Sequence, residues 1–288
     1  MKRILLVMTL CVFGKLTAQL PETDIYLARI EIKNNLIKFE KAENITNHKG
    51  YENQPGFSPD SKFLYFSSES EGKRVGIAVC NIKAKKSQYG IGHSLQSFYS
   101  PVQNKDVRGI SVVEVEADST QRVWMIDRGK ESKDSCLTPN TDSIGYYAWL
   151  GKDSILYYKL TDPHSLRVLN LKTGEDNWLC DHPTRSFKQI DNRTIFYVIH
   201  NERENQVYFY DIRVKKAKLY ATDKPDNQDY VWLPEFGMVK SEGSKLYRYS
   251  PDTKVWAEAA DFSSAGITKI TRFAFSPDKK YLALVSNQ

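Results

Sequence analysis

The sequence predicts an all-β fold, a six-bladed β-propeller of four-stranded antiparallel blades whose last blade is closed by N-terminal strands. Three observations predict it. A turn motif near the start of the chain recurs near its end, and weaker turn signals divide the interval at near-regular steps. Each turn leads into a short run rich in β-branched and aromatic residues. Beyond residue 18 no helix-length 3.6-residue periodicity appears.

In chain order, residues 1–18 come first and read as a cleavable secretory signal. Lys2 and Arg3 form the charged start, residues 4–14 an apolar stretch too short to span a bilayer, and Ala18 the small residue before the cut. Leu10 stands where a lipoprotein signal wants a small residue before Cys11, so no lipid anchor is expected. Residues 19–288 form a single propeller domain in this reading. Two strand-like runs, 25–32 and 36–39, precede the first repeat unit. The last unit runs out after two strands, so these early runs are expected to complete it and remove an exposed sheet edge.

The repeat rests on Ser58-Pro59-Asp60 and Ser276-Pro277-Asp278, each preceded by Phe (Phe57, Phe275) and followed by an apolar run. Asp106, Asp153, Asn192 and Gly237 mark the intervening turns, giving steps of 46, 47, 39, 45 and 41 residues from Asp60. Such spacing suits four-stranded blades. Residues 63–66, 110–115, 155–158, 195–199 and 281–285 are the buried strands after these turns. A second repeated tripeptide, Asn81-Ile82-Lys83, Asn170-Leu171-Lys172 and Asp211-Ile212-Arg213, marks the turn from third to fourth strand. An open β-sandwich has similar strand content, but the regular period argues against it.

Composition bounds the function. Apolar residues make up 41% and aromatics 12% of the 288, enough for a sizeable core. The formal charge of +6 falls to +3 (38 basic, 35 acidic) once Lys2, Arg3 and Lys15 leave with the signal, which points away from nucleic acid. Cys80, Cys136 and Cys180 lie at spacings that fit no zinc site, and they read as small buried or rim thiols. No H-E-x-x-H, G-x-S-x-G, P-loop or helix-leading G-x-G-x-x-G motif occurs. Gly90-Ile91-Gly92-His93 is a weak loop signal, and no cofactor, metal or catalytic residue is expected.

The candidate site comes from geometry. The innermost strand of each blade starts at one mouth of the central channel. Aligning the units places Asn53-Gln54, Tyr99-Ser100, Tyr146-Tyr147, Arg185-Ser186, Asp229-Tyr230 and Thr271-Arg272 there. The ligand-binding candidates are Asn53, Gln54, Tyr99, Tyr146, Tyr147, Arg185, Ser186, Asp229, Tyr230 and Arg272. Charges on innermost strands either pair around the ring, with Asp229 between the arginines, or face a ligand. Trp149 and Trp232 follow in matching places and read as inter-blade packing. Turn charges also segregate. One face collects Lys83, Lys85, Lys86, Lys105, Arg108, Arg128, Lys130, Lys172, Arg213, Lys215, Lys216, Lys279 and Lys280; the mouth face collects Glu69, Glu71, Asp118, Asp162, Glu202, Glu204 and Glu242 against few bases such as Lys73.

The stretches 54–66 and 272–280 resemble the TolB-type propeller repeat, and residues 115–124, 145–149 and 265–272 extend the likeness to a stand-alone, exported bacterial TolB-like group. In that group a histidine often stands where this chain has Tyr147, and another near Lys188; any work those histidines do is lost here. The resemblance implies a periplasmic or secreted location and a binding role, without supplying a reaction. The expected function is therefore a monomeric binding module for a protein or peptide of the bacterial envelope. Its basic turn face would rest against an anionic surface. A hydrolase or lyase acting on a saccharide or peptide at the channel mouth is the alternative, as is non-catalytic binding of a small anion or carbohydrate there.

Overall fold

The computed structural model describes residues 20–287 except 48, 71–73, 92–95, 128–132 and 228. The signal segment, Gly92, His93 and the turn charges Glu71, Lys73, Arg128 and Lys130 lie outside the described residues.

Two strands open the described chain, β1 (Thr23–Lys33) and β2 (Leu36–Asn44). Six sets of strands follow. The first is β3 (Gly50–Phe57), β4 (Phe63–Ser70), β5 (Gly76–Asn81) and β6 (Lys86–Ile91). The second is β7 (Ser97–Val102), β8 (Ile110–Val115), β9 (Gln121–Ile126) and β10 (Ser135–Cys136). The third is β11 (Ile144–Leu150), β12 (Ser154–Lys159), β13 (Ser165–Asn170) and β14 (Asp176–Asp181). The fourth is β15 (Pro183–Gln189), β16 (Thr194–His200), β17 (Asn205–Asp211) and β18 (Lys216–Asp223). The fifth is β19 (Tyr230–Leu233), β20 (Gly237–Glu242), β21 (Lys245–Ser250) and β22 (Val255–Asp261). The last has two strands of its own, β23 (Ile270–Phe275) and β24 (Tyr281–Asn287). Among the described residues there is no α-helix, only one 3₁₀ turn at Ser263–Ala265.

The second to fifth sets are separate four-stranded antiparallel sheets, hydrogen-bonded in chain order. The first set shares a sheet with β23, β24, β1 and β2, joined through one parallel pair, Thr23 with Tyr51. There β1 runs antiparallel to β24 from Thr23–Asn287 to Arg29–Tyr281, and β2 pairs with the outer edge of β1.

The turns form through the side chains that the sequence singles out. Ser58 Oγ donates to Asp60 Oδ1 at 2.7 Å and accepts the backbone N–H groups of Lys62 and Phe63. Ser276 does the same with Asp278 at 2.6 Å and with Lys280 and Tyr281. Asn81, Asn170 and Asp211 accept backbone N–H groups two or three residues on, closing the turns from third to fourth strand.

The core lies between successive sets. Val113 and Val123 pack with Ile144, Ile155 and Tyr157; Leu156 and Leu166 with Phe187 and Ile195; Phe196 and Val207 with Tyr230 and Met238. Val239 and Leu246 pack with Ile270 and Leu282, and Ile25 and Val285 with Leu64 and Phe66. Trp149 and Trp232 serve this packing: Trp149 Nε1 donates to Ser111 Oγ at 2.8 Å, and Trp232 stands edge-on to Phe209 and Tyr220. Each set's first strand touches the first strand of the next, and β23 touches β3.

Candidate functional site

The pairing of first and second strands slips within β3, β7, β11, β15 and β23. Such bulges re-aim side chains. Gln54 and Ser100, both with positive φ, sit at two of these slips. Gln54 Oε1 accepts from Ser67 Oγ at 2.9 Å and from the backbone N–H of Ser100 at 2.6 Å, stitching β3 to β7. Asn53 is buried, and its Oδ1 accepts the N–H of Gln54 at 2.8 Å.

Three sets meet at Arg185. Its guanidinium grips Asp229 with both arms, Nε to Oδ1 at 3.0 Å and Nη2 to Oδ2 at 2.6 Å, and Nη2 also donates to the carbonyl of Thr271 at 2.8 Å. Burial works against the charge on Arg185, but Asp229 and then Tyr146 outweigh it and hold its pKa above the ordinary value. Arg272 reaches the third set: Nη2 donates to the Tyr146 hydroxyl at 3.1 Å, and its guanidinium carbon lies 5.1 Å from the Tyr146 ring centre. That contact joins β23 to β11, whose sets are not neighbours, so these side chains bridge the space between those first strands. Burial alone would raise the Tyr146 phenol, yet Arg272 and Arg185 bring it below its usual value.

Tyr51 completes the cluster. It stands edge-on to Tyr99, with ring centres 6.4 Å apart, and burial pushes its phenol up to about 12. The charges of Arg272 and Arg185 lie close enough to oppose that rise.

Of the expected site residues, Tyr99, Tyr146, Arg185, Asp229 and Arg272 converge with Tyr51. Tyr147, Ser186 and Tyr230 turn instead into the packing between sets. Tyr147 is 6% exposed and its hydroxyl shares a 2.7 Å hydrogen bond with Ser111 Oγ. Tyr230 is 3% exposed; its N–H donates to Ser186 Oγ at 2.9 Å and its hydroxyl to Asp223 at 2.8 Å. Asn53 and Gln54 are used up in backbone and inter-strand contacts. The signal for Tyr51 was alternation along β3, two residues before Asn53.

Cys80, Cys136 and Cys180 are free thiols. Burial raises the pKa of all three, Cys180 to about 12, so none is a poised nucleophile. Among the described residues no group of three or more His, Cys, Asp or Glu side chains is placed to hold a metal ion, and no helix is long and apolar enough to cross a membrane.

These sheets and their contacts define a β-propeller. No protein-family model matches the chain, and no curated protein matches it in sequence. Solved structures do match in shape. A putative TolB from Agrobacterium tumefaciens superposes with a TM-score of 0.63 at 12% identity, over 93% of this chain and 99% of that one. An oligogalacturonate lyase in complex with manganese gives 0.56 at 14% identity, over 86% and 80%. A gluconolactonase from Xanthomonas campestris gives 0.61 at 10% identity, over 94% and 97%. The fold is TolB-like, and at these identities the likeness concerns the fold alone.

Proposed function

We propose that the chain is an exported, monomeric six-bladed propeller that binds an envelope protein or peptide, with Arg272 at the channel mouth taking a carboxylate of the partner. The pairing of β1 with β24 and the succession of first-strand contacts support six blades closed into a ring. The residue pattern of the first 18 positions supports export to the periplasm or beyond.

One observation carries the binding reading. Arg185 and Asp229 neutralise each other, whereas Arg272 has no carboxylate partner among the described residues. Arg272 is half-buried and lies over the Tyr146 ring, with Tyr51 nearby and Tyr99 edge-on to Tyr51. An oriented guanidinium with aromatic walls suits a planar anionic group. Binding is favoured over hydrolase or lyase action because Asp229, the carboxylate inside the cluster, is occupied at both oxygens and is not poised as a base.

The test is capture from an envelope fraction by the native chain and by Arg272→Gln. Partner bands retained by the native chain and lost with a variant of unchanged thermal stability support the reading. Equal capture by both overturns it.

A further inference from the structure

Strand register singles out one more side chain. Lys188 lies on β15 opposite Phe196 of β16. At the same level on other first strands stand Gly56 opposite Tyr65, Ala148 opposite Leu156, Val231 opposite Val239 and Ala274 opposite Ala283. The equivalent place on β7 is Pro101, next to the Val102–Ser111 pair. Small, uncharged residues therefore surround the level at which Lys188 extends, leaving room for a long side chain and little to pair with it.

β15 is enclosed. β16 takes one edge, β11 and β12 pack on one side, and β19 touches the other. Phe187 before it is buried, yet Lys188 itself is exposed to solvent. In the ring reading, the water that reaches Lys188 is in the central passage. Lys188 has no hydrogen bond or ion pair with any described residue. Surrounding protein lowers its pKa with no charged group opposing that shift. Lys188 stands level with Ala148 and Ala274, each two residues along its strand from Tyr146 and Arg272, so it lies at a different level from the Arg272–Tyr146 bridge.

We propose that Lys188 is a carboxylate-binding site within the central passage, separate from the mouth cluster. An unpaired ammonium walled by protein gains from an anion that supplies the missing counter-charge. The single compact charge and the absence of a guanidinium fork at this level fit one carboxylate group, either a small free acid or the free carboxyl end of a narrow chain segment. The site rests on the ring reading, and its test does not need the envelope partner.

The probe is sodium propionate, with propionamide as its neutral counterpart and sodium chloride at equal ionic strength as the salt control. Lys188 acetylation by limiting acetic anhydride is followed by mass spectrometry of peptides from the intact folded chain. Propionate is expected to slow modification of Lys188 at least threefold relative to both controls, with the surface lysines unchanged. Propionate should also raise the melting temperature of the native chain and of Arg272→Gln, but not of Lys188→Met. A short peptide with a free carboxyl end, compared with its amide, separates chain ends from small acids. Equal labelling in propionate, propionamide and chloride overturns the site. So does a propionate effect that survives Lys188→Met; if that effect is lost in Arg272→Gln, the carboxylate belongs at the mouth and the binding reading alone stands.

Discussion

The backbone N–H of Asp278 donates to the Ser61 hydroxyl at 3.1 Å, although the two residues are 217 apart in sequence. The first and last Ser-Pro-Asp turns thus lie side by side, and the strands behind them share one sheet through β1. A chain starting at Thr46 would leave β23 and β24 as an exposed two-stranded edge. It would also uncover Leu64, Phe66 and Leu282, against which Ile25, Leu27, Ala28 and Ile30 pack. Deleting one large buried side chain costs about 2–5 kcal/mol, and a whole domain holds only about 5–15. The truncated chain is expected to aggregate or remain unfolded by size exclusion and calorimetry. A monomer with near-native melting temperature would refute closure by the N-terminal strands.

The two arginines of the central cluster should behave differently. Arg185 and Asp229 are largely buried, so Asp229→Ala strands a guanidinium and is expected to cost about 3 kcal/mol. Replacing both partners by apolar residues, Arg185→Met with Asp229→Leu, should recover much of that loss. Arg272 gives up one hydrogen bond to a phenol and a ring contact, so Arg272→Gln should cost about 1 kcal/mol. Urea titrations of the three variants and the native chain give the comparison. An Asp229→Ala chain as stable as the native chain would mean that losing the ion pair costs nothing.

Much of this fold was legible because turn chemistry is local. Ser58, Ser276, Asn81, Asn170 and Asp211 act within five residues of themselves, and the sequence names them as turn residues without any tertiary knowledge. The tryptophans were legible through repeat spacing. The cluster was only half legible. Strand side chains alternate, and one inserted residue reverses which of a neighbouring pair points inward. Alternation alone turned Tyr147, Ser186 and Tyr230 into the packing while their neighbours Tyr146, Arg185 and Asp229 entered the cluster; β19 pairs without a slip, and Tyr51 lies ahead of the slip in β3. Lys188 needed the cross-strand register, since its isolation depends on small residues from five other strands.

Glu52 predicts a pH dependence of stability. It is fully buried beside the Thr23–Tyr51 pair, where Thr23 Oγ1 donates to its carbonyl and Ser68 Oγ to its carboxyl. Burial pushes its pKa from the ordinary 4.5 up to about 8, with the Ser68 hydrogen bond opposing and nearby Asp24 adding to the rise. The folded chain therefore holds a proton that the unfolded chain has released. Below about pH 4 both states hold it and nothing is lost. Stability should fall as pH rises from there to about 8 and then level off. A shift of this size corresponds to on the order of 5 kcal/mol. In Glu52→Gln that decline should flatten, leaving the variant more stable than the native chain at pH 8. Parallel stability profiles of the two proteins across this range would exclude Glu52 as the cause.

The last prediction concerns the basic turn face, where the structure separates committed from uncommitted charges. Lys85 pairs with Glu43, Arg108 with Asp127, Lys172 with Asp153 and Lys279 with Glu235. Lys83, Lys86, Arg213, Lys215 and Lys216 are exposed and pair with no carboxylate among the described residues. Their charge lies in the β5–β6 and β17–β18 turns, in the first and fourth sets. Each basic residue near an anionic surface contributes about 1 kcal/mol, and the field fades over about 10 Å at 0.1 M salt. Attraction through two such turns should be measurable at low ionic strength and weak at physiological salt. Sedimentation with phosphatidylglycerol vesicles is expected to pull down the native chain at low salt only. The variant with Lys83, Lys86, Lys215 and Lys216 changed to Glu should stay in solution, whereas Lys85→Glu with Lys172→Glu should have a smaller effect because those charges are already partnered. Equal sedimentation of the native and fourfold-variant chains, or none by the native chain at low salt, would remove the membrane role of this face.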